Sequence, residues 1–271
     1  MHIYRHSFSK TDVKHHFESA QKDVKMLLEV FSEGYYFALR DLYLSALQKY
    51  CYSIIFEEKM QDIYANLELF NQTALGLYQM ATHVGQPVVF EFGTQSYEWI
   101  PEDVDYMVTD QGFITAYMAA IIAGDMERIR KLNEIDLDAI QKLSNAKGGV
   151  YSFYFAKFLQ RLFEKGAPHL QLLLKSSEAL KESSMPGAIF DFALRINGPV
   201  IDLFTSLLTA DEKNFNRQLQ HALELHKKYY SQSDEYSIVS EGLVSLPLSA
   251  LKILALNQGL KVDITSDYLI E

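Results

Sequence analysis

Little in this chain of 271 residues can cross-link, insert into a membrane or react. It has one cysteine, Cys51 in "KYCYSII", so no intrachain disulfide can form. The aromatic and apolar neighbours of Cys51 predict an inert buried thiol, because a nucleophilic cysteine needs an accessible, electropositive setting. The opening residues "MHIYRHSFSK" hold no apolar h-region, so no secretory signal is visible and the cytoplasm is the expected location. The longest apolar run, "FITAYMAAIIAG", is shorter than the roughly 20 residues a bilayer crossing needs, and no membrane contact is expected. No phosphate loop, dinucleotide-binding glycine fingerprint, HExxH or GxSxG occurs, which argues against an enzyme and against any cofactor. Positive charge is also scarce. Lys and Arg total 25 against 35 Asp and Glu, a formal net charge of −10. That balance disfavours nucleic acid, whose phosphates need a basic face, and suits a basic protein partner.

What is present is an ordinary globular balance, 48% hydrophobic and 22% charged, which argues against disorder. Val13, Phe17, Ala20, Val24, Leu27, Leu28 and Phe31 recur at three and four, an amphipathic helix that Ser9 is placed to cap and Gly34 to end. Tyr36, Leu39, Tyr43, Leu47, Tyr50 and Ile54 predict a second helix, antiparallel to the first. Met60, Ile63, Tyr64, Leu67, Ala74, Leu75 and Tyr78 predict a third, closing near Gly85. These aromatic stripes read as core.

The period then changes. "PVVFEFGTQSYEWIP", Pro87 to Pro101, places β-branched and aromatic residues on both sides of Gly93-Thr94 and predicts a β-hairpin. It carries the only tryptophan, Trp99, and leads into the acidic "PEDVD". An isolated hairpin is marginal in water, so it must lean on helices or on a partner. Glu98, Trp99, Glu102, Asp103 and Asp105 are therefore candidate partner-binding residues. An aromatic anchor beside carboxylates suits a hot spot and charge-steered association. The competing reading packs Trp99 on the helices and leaves the acids to cap a helix near Asp103.

Beyond it, "QGFITAYMAAIIAG" is apolar on several faces, a buried helix, and Asp125 is placed as the N-cap of the next, which bears Ile129 and Leu132. "YSFYFAKFLQRLFEKG" shows one polar stripe, and Pro168 opens a helix through Leu170, Leu173, Leu174 and Leu180. "KESSMPGA" reads as a loop and "INGPV" as a sharp break. Thr209 and Glu212 form a capping box before a helix lined by Phe215, Leu219, Ala222, Leu223, His226 and Tyr230. The last helix, with Leu246, Leu248, Leu251, Ile253, Leu254 and Leu256 around it, Pro247 in its first turn and Ser245 as cap, must be wrapped by other elements. Gly259 stands at its C′ position. The fold expected is mainly α: residues 1–271 as a single-domain array or bundle of antiparallel helices with one small β-hairpin at about 87–101.

Candidate chemistry is thin. In "HALELH", His221 and Glu224 share a face, but His226 is rotated away, so the three cannot converge on a metal from one helix, and His226 is expected in the core. His15 and His16 point to different faces. Adjacent acids such as Glu57 with Glu58, Glu102 with Asp103 and Asp211 with Glu212 face apart and suit helix starts.

Three stretches carry a resemblance. The ending "NQGL" followed by "SDYL" after an early-proline helix is one. The apolar helix, turn aspartate Asp125 and "IDLD" is the second, with Gly124 where the pattern often has arginine. "ADEKNF" with "AL" and "HKKY" is the third. Together they resemble the Imm49 family, immunity proteins of bacterial polymorphic toxin systems. The resemblance implies a non-enzymatic cytosolic protein that binds a cognate toxin and blocks it. A basic nuclease fits the charge, although a deaminase or an NAD-consuming toxin would equally require cytosolic immunity. Two other classes compete: a helical-repeat scaffold for another protein, told apart by whether a toxin gene adjoins, and a helical-barrel enzyme acting on glycosides, which requires a cleft with separated carboxylates.

Overall fold

The two ends of the chain meet in a short ladder. In the computed structural model, which describes residues 1–92, 95–102, 108–143, 149–164, 168–181 and 187–270, strand β1 (His2–Ile3) runs parallel to Thr265–Ser266. Backbone contacts divide the chain into two compact units, Met1–Ser7 with Lys147–Glu271, and Phe8–Ala146. The fold is mainly α, with one small antiparallel strand pair among the described residues, in line with the helical periodicity.

In the unit Phe8–Ala146, α1 (Lys10–Ser32) begins at Ser9, whose hydroxyl accepts the N–H of Asp12 at 3.3 Å. It buries Val13, Phe17, Ala20, Val24 and Phe31 against α2 (Leu39–Ile55), which packs in turn on α3 (Met60–Thr82). Tyr36 does not join α2 as its spacing suggests. It sits in a 3₁₀ turn, Tyr36–Ala38, that swings its ring toward the strands. Met60 and Tyr64 are also outside the core, exposed on the first turns of α3 before its buried stripe begins at Asn66. The hairpin is β2 (Val88–Phe92) paired with β3 (Gln95–Trp99), Val88 opposite Trp99 and Phe92 opposite Gln95. Next, α4 (Asp110–Ala123) is buried on nearly every face, as its all-round apolar sequence requires. It ends at Gly124, whose φ of +65° is a left-handed C-cap that an arginine would adopt only under strain. Asp125 caps α5 (Met126–Asn133) as expected, its carboxylate accepting the N–H of Arg128 at 2.9 Å, and α6 (Leu137–Leu143) follows.

In the other unit, α7 (Val150–Gln160) packs on α8 (Pro168–Lys181). The break expected at "INGPV" is absent. Helix α9 (Gly187–Phe192) runs through one π-helical turn, Ala193–Asn197, into α10 (Gly198–Leu208). The N–H of Gly198 reaches back five residues to the Ala193 carbonyl, and this wider turn accommodates Pro199, whose ring would clash in a regular α-turn. The start of α11 (Glu212–Tyr230) also differs from the expected capping box: Asp211 is the cap, accepting the N–H of Asn214 at 3.0 Å, while the Thr209 hydroxyl closes the end of α10. The chain passes through the short helices α12 (Asp234–Ser237) and α13 (Ser240–Leu243) to α14 (Leu246–Asn257) and β4 (Thr265–Ser266). Leu246, Leu248, Leu251 and Leu254 of α14 are buried, although Leu256 is exposed. Ser245 occupies the cap position without capping; its carbonyl accepts the Ser249 hydroxyl.

Around the β1–β4 ladder lies a buried polar network. The Tyr268 hydroxyl accepts the backbone N–H of His6 and hydrogen-bonds His6 Nδ1, each at 2.8 Å, while His6 Nε2 meets the Ser237 carbonyl at 2.9 Å. The Arg5 guanidinium donates to the carbonyls of Leu243 and Asp267, and the Asp267 carboxylate accepts the Arg5 N–H. His226 is buried, bonded through Nε2 to the Gly242 carbonyl, as its place on the inner face of α11 predicts. Burial, with His6 and Arg5 nearby, pushes its pKa down to about 4.

Candidate functional site

The hairpin is two-sided because successive residues of a strand point to opposite faces. Val88, Phe90 and Phe92 are buried on the helices of their unit. The Phe31 ring collects Phe90, Phe92 and Tyr97 at centroid distances of 5.8, 4.9 and 5.0 Å, so the inner face is an aromatic cluster seeded from α1. The base of the hairpin is closed by the Gly85 N–H donating to the Pro101 carbonyl at 2.8 Å. On the outer face, Val89 lies opposite Glu98 and Glu91 opposite Ser96, all exposed.

Trp99 packs on helical structure and also stays partly open. Its ring lies 4.5 Å from that of Tyr36, and the residue is only partly exposed. Beside Tyr36 the rings of Tyr35 and Phe37 pack against each other and are 53% and 63% exposed, too open to be core residues. Glu98, whose backbone carbonyl accepts the Tyr36 hydroxyl at 3.5 Å, and Glu102 are both exposed. Asp103 and Asp105 lie outside the described residues. The structure thus brings Glu98 and Trp99 onto one strand and adds Tyr36, which periodicity assigned to a helix, together with Tyr35 and Phe37. The triplet "YYF" directly after Gly34 was the available signal.

A second concavity borders the same hairpin. A groove of about 180 Å³ is lined by Glu68, Gln72, Gly76 and Gln79 of α3, by Val89, Phe90 and Glu91 of β2, and by Arg128 and Lys131 of α5 with its cap Asp125. Arg128 ties its walls together, with two hydrogen bonds to the Glu68 carboxylate at 3.1 and 2.8 Å and a contact to Asp125 at 3.3 Å. Its side chain is only 12% exposed while that of Glu68 is 48% exposed, so the pair links α5 to α3 at the edge of solvent.

The remaining titratable candidates do not assemble. His221 is exposed and Glu224 accepts a hydrogen bond from Gln220, while His226 faces the core. Among the described residues no group of three or more histidine, cysteine or carboxylate side chains is placed to hold a metal, and no helix is long and apolar enough to cross a membrane.

No curated protein and no solved structure matches the chain. The family described as Immunity protein 49 matches it over residues 58–269, which includes the hairpin, the groove and the C-terminal closure. A match over that span of a 271-residue chain leaves one assignment: the chain belongs to the Imm49 family of immunity proteins.

Proposed function

We propose that this protein neutralises a cognate toxin of a bacterial polymorphic toxin system by binding it in the cytoplasm, without catalysis and with residues 1–271 acting as one domain. The family supplies the toxin as partner, and the net charge of −10 favours a basic one, a nuclease being the class that fits best. The observation that carries the choice of surface is the aromatic ledge at the Trp99 end of the hairpin. There the partly exposed Trp99 packs on Tyr36, the highly exposed Tyr35 and Phe37 adjoin Tyr36 in the chain, and Glu98 beside Trp99 on β3 and Glu102 just beyond it are exposed. Aromatic anchors give an interface most of its affinity, and carboxylates around them steer a basic partner into place. On this reading Asp103 and Asp105, which lie outside the described residues, are further candidate contacts.

The test is association with the toxin encoded beside this gene. Glu98→Lys and Glu102→Lys together should slow association by about tenfold at low ionic strength, with the difference narrowing as salt screens it. Both residues are exposed, so melting should move by no more than about 0.5 kcal/mol. Unchanged association in the folded double variant removes this face, and failure of the wild-type chain to protect cells from the neighbouring toxin removes the function.

A further inference from the structure

The hairpin has an edge as well as two faces, and the groove runs along it. Val89, Phe90 and Glu91 are consecutive, yet all three line the groove. Side chains of neighbouring strand residues point opposite ways, so three in a row can share one concavity only if it follows the edge of the strand. That edge is the one turned away from β3, because among the described residues the sheet contains only β2 and β3.

The register fixes which backbone groups stand there. Phe92 and Gln95 close a two-residue connection and form a hydrogen-bonded pair, and such pairs alternate along an antiparallel ladder. Val88, Phe90 and Phe92 therefore turn their N–H and C=O groups to β3, and Val89 and Glu91 turn theirs to the groove. The floor is bare at the same place. A Cβ on Gly76 would lie 3.7 Å from the Cβ of Phe90, so the strand passes close over α3 where the helix carries no side chain. The Arg128–Glu68 pair holds the opposite wall. No proline, lysine or bulge protects β2, the usual devices that blunt an open edge.

We infer that the open edge of β2 takes an extended segment of the protein partner as a third strand, with a basic side chain beside Glu91 and an apolar one beside Val89. Side-chain chemistry selects this occupant. A strand added along β2 places its outward residues next to Val89, which is 56% exposed, and next to Glu91, whose neighbour on β3 is the neutral Ser96. No salt bridge to Glu91 exists among the described residues, and Glu98 adds a second carboxylate to the same face. Backbone pairing then supplies affinity and the alternating side chains supply selectivity. The inference rests on the reading that this unit binds a protein, and it adds the conformation and charge of the segment bound.

The probe is a blocked octapeptide alternating lysine and valine, titrated into the full-length ¹⁵N-labelled chain, with a glutamate–valine octapeptide as counterpart. Expected are saturable amide shifts at Val89 and Glu91 and along the groove at Gly76 and Arg128, with the glutamate peptide binding about tenfold more weakly. Glu91→Pro removes one edge donor without touching the ladder to β3 and should cost about tenfold in affinity. If that variant loses its hairpin, Glu91→Lys replaces it and should invert the preference between the two peptides. Absence of localised shifts, equal binding by a folded Glu91→Pro, or an unchanged preference in Glu91→Lys overturns the edge. A toxin that binds while neither peptide shifts Val89 or Glu91 retains the toxin reading and removes this one; peptide capture without toxin binding does the reverse.

Discussion

The two units of this chain are held together by contacts of very different reach. In Phe8–Ala146, helices that follow one another pack on one another, α1 on α2, α2 on α3 and α3 on α4, and the hairpin closes on itself. In the other unit the decisive contacts span almost the whole sequence: β1 pairs with β4, and Arg5 and His6 are bonded to Asp267 and Tyr268. Local packing tolerates an open strand edge and an exposed aromatic ledge, because removing either leaves neighbouring helices in contact. Long-range closure has no such reserve. The difference suits the first unit to the partner binding proposed above and predicts that the second is the more sensitive to truncation and acid.

The most damaging test of that contrast is to end the chain after Val239. Leu246, Leu248, Leu251 and Leu254 are all buried. At roughly 1.5–3 kcal/mol each, their burial is comparable in sum to the 5–15 kcal/mol net stability of a domain. The truncated chain should lose the cooperative melting of residues 147–239 while amide exchange in 8–146 stays protected. A truncated form in which both regions melt cooperatively breaks the comparison.

Acid should act next most strongly. His226 titrates near 6.5 when unfolded and at about 4 in place. Between those values the unfolded chain binds the extra proton, so the stability this residue contributes is complete above pH 6.5 and is lost as pH falls toward 4. The full effect is about 3 kcal/mol. His6 is shifted down as well, again chiefly by burial, and adds in the same direction. Amide exchange measured at pH 7 and pH 4.5 should show the β1–β4 ladder opening at the lower pH. His226→Phe should flatten that dependence; an unchanged pH profile in a folded variant refutes the assignment.

Two buried glycines sharpen the comparison further. A Cβ on Gly242 would meet the Tyr230 ring at 2.4 and 2.6 Å, so Gly242→Ala forces α13 away from α11 and should cost about 1–3 kcal/mol. A Cβ on Gly76 would meet Leu39 and Phe90 at 3.6 and 3.7 Å, ordinary contacts, and alanine is the better helix former by about 1 kcal/mol. Gly76→Ala should therefore leave stability unchanged or raise it slightly. Chemical denaturation of the two variants reads both signs.

What the sequence disclosed and what it withheld follow the same division. Caps at Ser9 and Asp125, the all-round burial of α4 and the hairpin rest on residues close in sequence, and each is legible from spacing. The β1–β4 ladder is not, because two-residue strands have no period and their pairing spans 263 positions. The π-turn before Pro199 was read as a break because the proline signal does not say how the preceding carbonyls rearrange. Asp211 displaces Thr209 as cap because both are capping residues two positions apart, and only the end of α10 decides between them. At the candidate site, Glu98, Trp99 and Glu102 were legible as an aromatic-acidic mixture. Tyr36 beneath Trp99 and the groove beside Val89 were not, since both depend on which helix lies under which strand.

The ladder between β1 and β4 has a consequence for timing. Residues 1–7 leave the ribosome well before their partners at 263–268 are made. At about 5–20 residues per second, roughly 260 residues separate the two by about 13–50 s. During that interval Phe8–Ala146, whose contacts are already complete, can fold and present its hairpin, while the first seven residues wait unpaired. A nascent chain stalled before residue 263 should therefore capture a partner through the hairpin well before its own ends have joined.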